Sequence, residues 1–113
     1  DACRSAVAAL VRALGDEDAW VRMHAVEALG HLREASAVPA LIERLDDPST
    51  GSRSIDPRNW QHVADEAEEA LVRIGAPAVE TLREATTSHA RPEVQAAARR
   101  VLERITGERL PER

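Results

Sequence analysis

Apolar residues recur at helical spacing along the chain, in short segments of two alternating kinds. The first kind, "AVAALVRAL" (6–14), returns thirty-one residues later as "AVPALIERL" (37–45), with five of nine residues identical, and more loosely as "AVETLREAT" (78–86). The second kind lies between: "VRMHAVEALGHL" (21–32), "VADEAEEALVRI" (63–74) and "VQAAARRVLERI" (94–105) share Val first, Ala fifth, Leu ninth and Leu or Ile twelfth. Ala37, Val38, Leu41, Ile42 and Leu45 make one helical face, and Val63, Ala67, Ala70, Leu71 and Ile74 make another. Self-similarity at this period predicts stacked helix pairs that share one continuous core. The expected helices are 2–14 with 19–32, 36–46 with 57–74, and 76–87 with 92–106. Asp residues in "GDED" (15–18), Ser36, Gly75 and Pro92 supply the expected caps and stops.

The segment "WVRMHAVEALGHL" (20–32) carries two stripes. Val21, Ala25, Ala28, Leu29 and Leu32 form the expected core stripe. Trp20, His24, Glu27 and His31 repeat the same rhythm one residue earlier and need a different surface. The second repeat is interrupted: Leu14 to Val21 spans 7 positions, but Leu45 to Val63 spans 18. "PSTGSRS" in that insertion has loop composition. "DPRNW" reads as an Asp56 cap with Pro57 at the first helical position, which starts the helix early and carries Trp60 and His62 to the rim, with Arg53 and Arg58 beside them.

From Ala6 through Leu32 the chain reads Ala-Val-x-x-Leu-Val-x-x-Leu, an acidic turn, then Val-Arg-x-x-Ala-x-x-Ala-Leu-Gly-x-Leu. This resembles the HEAT-repeat family, in the short form found in bilin-lyase subunits. The third repeat departs from the pattern with Thr86 for Leu, Gln95 for Arg and Glu103 for Gly. The fold class implied is all-α, an α-solenoid of three HEAT-like helix pairs (six helices) in one domain. Repeat 1 covers 1–34, repeat 2 covers 35–75 with an inserted loop at 46–58, repeat 3 covers 76–106, and 107–113 is a tail. The resemblance also implies that the Val-Arg helices line the concave side.

Carried through that alignment, the second stripe gives four rows: Trp20, His62 and Glu93; His24, Glu66 and Ala97; Glu27, Glu69 and Arg100; His31, Arg73 and Arg104. Met23 and Asp65 lie beside the second row. Trp20 and Met23 are expected as exposed anchors, since Trp dominates interface hot spots. Asp65, Glu66, Glu68 and Glu69 crowd negative charge at a helix start, which the helix dipole favours. The basic last row suits helix C-termini for the same reason.

Composition narrows the function. The 113 residues carry a net charge of −5, so the basic footprint of a nucleic-acid binder is missing. All fifteen basic residues are Arg, as the codon usage of a GC-rich genome would give. Cys3 is the single cysteine, so no disulfide framework or thiolate cluster exists, and it is expected to be inert. No apolar run approaches a membrane span, and the expected compartment is the cytoplasm.

Deoxyhypusine hydroxylase is similar in using short HEAT repeats, but its His-Glu iron pairs would fall at Met23-His24, Asp65-Glu66 and Ala96-Ala97, none of which is His-Glu. An improvised metal site would need His24, His62 and Glu66. HEAT-like DNA glycosylases need a basic track that only Arg91, Arg99, Arg100 and Arg104 approach. No phosphate loop or paired nucleophile is present. The reading is a non-catalytic module without cofactor or metal that binds a protein or peptide on the concave helices. The alternative is a subunit or fragment of a HEAT-type enzyme, bilin-lyase-like or hydroxylase-like. Val7, Ala8 and Val11 with few charges near the first end also lead us to expect self-association through the solenoid ends.

Overall fold

A computed structural model describes residues 2–49 and 62–107, with the backbone alone for Ala2 and Cys3. Six α-helices run through them: α1 Ala2–Ala13, α2 Ala19–Leu32, α3 Val38–Ile42, α4 Val63–Ile74, α5 Val79–Ser88 and α6 Pro92–Thr106. A 3-10 turn precedes α3 (Ala35–Ala37) and α5 (Ala76–Ala78). Consecutive helices pack as pairs, α1 on α2, α3 on α4 and α5 on α6, and α2, α4 and α6 stack side by side while α3 meets α5 behind them. The three-repeat solenoid follows from this double layer.

The ends of α2 and α6 fall where the sequence places them. Asp18 accepts a hydrogen bond from Trp20 N at 2.9 Å and caps α2, and Pro92 opens α6 at a position that needs no donor. Other boundaries differ. The expected helix 36–46 is a 3-10 turn followed by five residues of α-helix, and past Ile42 the chain tightens to i+3 bonds, Arg44 N donating to Leu41 O and Leu45 N to Ile42 O. Ser36 caps nothing; Glu34 takes that role by accepting from Ser36 N and Ser36 Oγ. α4 begins only at Val63, since His62 is extended at φ −84° and ψ 147°. A helix running unbroken from 57 is therefore corrected at His62, and "DPRNW" itself lies outside the described residues. Both sides of the insertion are tied together: Val63 N donates to Ser49 O at 2.8 Å and Ala64 N to Asp47 O at 2.9 Å.

The core runs through all three repeats and is almost wholly aliphatic, with Leu29, Leu41, Leu71, Leu82 and Leu102 fully buried. Each such side chain contributes roughly 1.5–3 kcal/mol by leaving water. In α2 the buried face is turned from the expected one. Ala25 and Leu29 are inside, joined by Met23, Val26 and Gly30, while Leu32 is 58% exposed and Val21 and Ala28 are half-buried. The cause is α4, which lies against the Gly30 side. A Cβ on Gly30 would stand 2.8 Å from both Cα and Cβ of Ala70, so the missing side chain permits this approach.

Polar clamps join the repeats at their turns. Arg22 Nε donates to Asp47 Oδ2 at 2.8 Å, with the side chains only 12% and 9% exposed. The rest of the guanidinium donates to Asp16 O, Glu17 O and Ser49 Oγ. Burial alone would raise the Asp47 carboxyl, but donors from Ser49 N and Arg22 outweigh it and hold it below the usual aspartate range. In the next repeat, Arg91 donates to Asp46 at 2.7 Å and to Glu43 O at 3.0 Å. His89 Nδ1 accepts from Arg91 N, so Nε2 carries the proton and donates to Glu43 Oε2 at 2.7 Å. That bond is the main reason the Glu43 carboxyl lies low, helped by Arg91.

Two stability predictions follow from these contacts. Asp47→Asn lowers unfolding free energy on the order of 1–3 kcal/mol at neutral pH, because it leaves a half-buried guanidinium without its counter-charge. Since the folded Asp47 carboxyl is lowered, its contribution is complete above the ordinary aspartate value and fades as pH falls through the folded one. Urea unfolding of both proteins should therefore converge in acid. Gly30→Ala costs about 1–3 kcal/mol by forcing α2 off α4, measured by the same titration.

Candidate partner-binding face

The surface of the α2–α4–α6 layer is built by the stripe that the core leaves over. His24, Glu27 and His31 are exposed on α2, and Trp20 is half-buried at its first turn. The Trp20 and His24 rings meet edge to face with centroids 4.2 Å apart. His24 Nδ1 lies 3.8 Å from Glu27 and His62 Nδ1 lies 3.5 Å from Asp65. A hollow of about 450 Å³ opens beside this row, lined by Trp20, His24, Glu27 and His31 on one side and by Leu10, Val21 and Ala28 on another.

The four expected rows are staggered. Glu27 acts on Glu66, which the alignment places in the neighbouring row. Glu69 pairs with Arg104 at 2.6 Å, and Glu68 pairs with Arg100 at 2.8 Å. Arg100 and Arg104 are thus bridges from α6 to α4. Asp65 and Arg73 are exposed on α4, and Glu93 is exposed on α6. Ala97, expected in the second row, is 1% exposed and belongs to the core.

Met23 is a correction. It is 8% exposed and packs within the core, because it lies on the same side of α2 as Gly30, where α4 docks. Trp60, Arg53 and Arg58 lie outside the described residues. Arg22 is the residue that the stripe analysis passed over, although the Val-Arg pair and the Asp46-Asp47 pair after α3 were visible signals.

Glu66 is the electrostatic centre of the face. It is half-buried, and its carboxyl is raised above the usual glutamate range, first by desolvation and then by Glu27, with Glu69 adding to the repulsion. Arg73 and His31 relieve this only in part. Among the described residues no three His, Cys, Asp or Glu side chains converge as a metal site, so His24, His62 and Glu66 do not form the improvised cluster.

A family model for HEAT repeats matches residues 1–55. That match spans just under half of the chain, and the stacked helix pairs are those of an α-solenoid with HEAT-like repeats. No curated protein and no solved structure matches the chain. In HEAT terms, α2, α4 and α6 are the second helices of their repeats, and the Glu66 face is the one those helices share. No helix among the described residues is long and apolar enough to cross a membrane.

Proposed function

We propose that this chain is a non-catalytic docking module whose α2–α4 face binds a peptide or protein segment carrying basic side chains. HEAT repeats generally mediate protein–protein interaction, and that general role supports the reading. The observation that carries it is the crowding of Glu27 and Glu69 around the half-buried Glu66 carboxylate. The α6 side of the layer is balanced by its Glu–Arg bridges, so surplus negative charge lies between α2 and α4.

A guanidinium or ammonium entering there relieves the repulsion and replaces lost hydration with charge-assisted hydrogen bonds. Trp20, with His24 against its ring, offers an aromatic wall for the stem or the cation of the same side chain. His31 and Arg73 bound the acidic pair. They favour a segment with one or two basic residues over a uniformly basic one.

The test is a fluorescence titration of the chain with an Arg-containing peptide at low salt. Glu27→Gln with Glu66→Gln should weaken binding about tenfold or more, and Trp20→Ala should weaken it at unchanged helical content. Because the Glu66 carboxyl is raised, its charge is lost earlier than an ordinary glutamate's as pH falls. Affinity should therefore begin to drop on acidification above the pH at which an ordinary glutamate would take up its proton, and Glu66→Gln should remove that portion of the pH dependence. Unchanged affinity in the charge and Trp variants would refute the reading.

A further inference from the structure

The face shared by α2 and α4 changes sign along its length. Nearer the helix starts stand Glu27, exposed, and Glu66, half-buried. Nearer the helix ends stand His31 and Arg73, both exposed and both acting on Glu66 as counter-charges. Arg73 belongs to α4 yet leans over α2, with Nη1 3.7 Å from where a Cβ on Gly30 would stand. The bare backbone of Gly30 leaves room for the guanidinium beside His31, so both helices contribute to the basic end. On α6 the cations are committed, Arg100 to Glu68 and Arg104 to Glu69. No such bridge holds Arg73 among the described residues.

The helix sets the distance between the two ends. From Glu27 to His31, α2 rises by about 6 Å. In an extended segment, side chains two residues apart point the same way and stand about 6.6 Å from each other. Resting on the docking reading above, we propose that the preferred occupant is an extended segment with one basic and one acidic side chain two residues apart. The basic one meets Glu27 and Glu66, and the acidic one meets Arg73 and His31. A carboxylate is the complement of a guanidinium, which can hold both of its oxygens at once. A second cation at that spacing would face like charge, so the basic end also selects against uniformly basic segments. The helix dipole favours cations at helix ends in any case. If that were the whole reason for Arg73 and His31, the second side chain of the segment would not matter.

The experiment titrates the full chain at low salt with short acetylated, amidated peptides, read by Trp fluorescence. They carry a central Arg-Val-Glu, its reverse Glu-Val-Arg, or the same two with Gln for Glu, since either chain direction meets the spacing. The tighter Glu peptide should bind about threefold or more better than its Gln counterpart. A second Val between the charged pair, which turns the carboxylate to the other side, should lose that gain. Arg73→Ala should erase it too, while the Gln peptide binds at least as tightly as before because a competing cation has gone. Equal affinity for Glu and Gln peptides, with both weakened by Glu27→Gln and Glu66→Gln, would overturn this inference and leave the docking reading standing. A gain that survives Arg73→Ala would also overturn it. Binding of none of the peptides would overturn both.

Discussion

One guanidinium holds the geometry of the first two repeats. Arg22 reaches from the second residue pair of α2 into the turn after α3, and in one fork it meets a carboxylate, two carbonyls and a hydroxyl. Arg is suited to this because its donors are planar, permanently charged and directed several ways. Asp47 in turn offers its backbone carbonyl to Ala64, so the charge pair also sets where α4 begins. The placement of α4 against Gly30 follows, and with it the position of Glu66 beside Glu27. A local ion pair at a turn thereby fixes a surface one helix away.

The seams between repeats are made by different means. α2 and α4 meet through small residues at close quarters, whereas α4 and α6 are spanned by Glu68–Arg100 and Glu69–Arg104 on top of buried Val94 and Val101. At the turns the second and third repeats are joined by Arg91 and His89 on Glu43 and Asp46. Apart from the buried Arg22–Asp47 clamp, the first seam is therefore set mostly by shape. The second adds charge pairs that are more exposed and more readily screened by salt.

Much of this was legible in the sequence, and the misses have physical causes. The thirty-one-residue echo between "AVAALVRAL" and "AVPALIERL" carried the helix pairing, and the ends of α2 and α6 were written in Asp18 and Pro92. The rotation of α2 was not legible from one helix. Val21, Ala28 and Leu32 are as apolar as Met23 and Val26, so periodicity sees two candidate faces and cannot say which one α4 will cover. Gly30 was the available clue, since a glycine inside an otherwise regular helix marks a close approach. The charge rows also failed in register. Alignment assumes equivalent positions lie level, while Glu27 with Glu66, Glu68 with Arg100 and Glu69 with Arg104 run across the rows. Trp60 and its neighbours remain sequence readings.

The pinned ends of the second repeat's excursion separate what the chain carries there from how the solenoid stands. Ser49 and Val63 are neighbours through a backbone bond, and Asp47 and Ala64 through another, so chain leaves and re-enters at nearly one point. Closing such an excursion grows costlier only with the logarithm of its length. Evolution can thus rewrite or resize the stretch between without disturbing the helices, and an engineer could graft a foreign epitope into it.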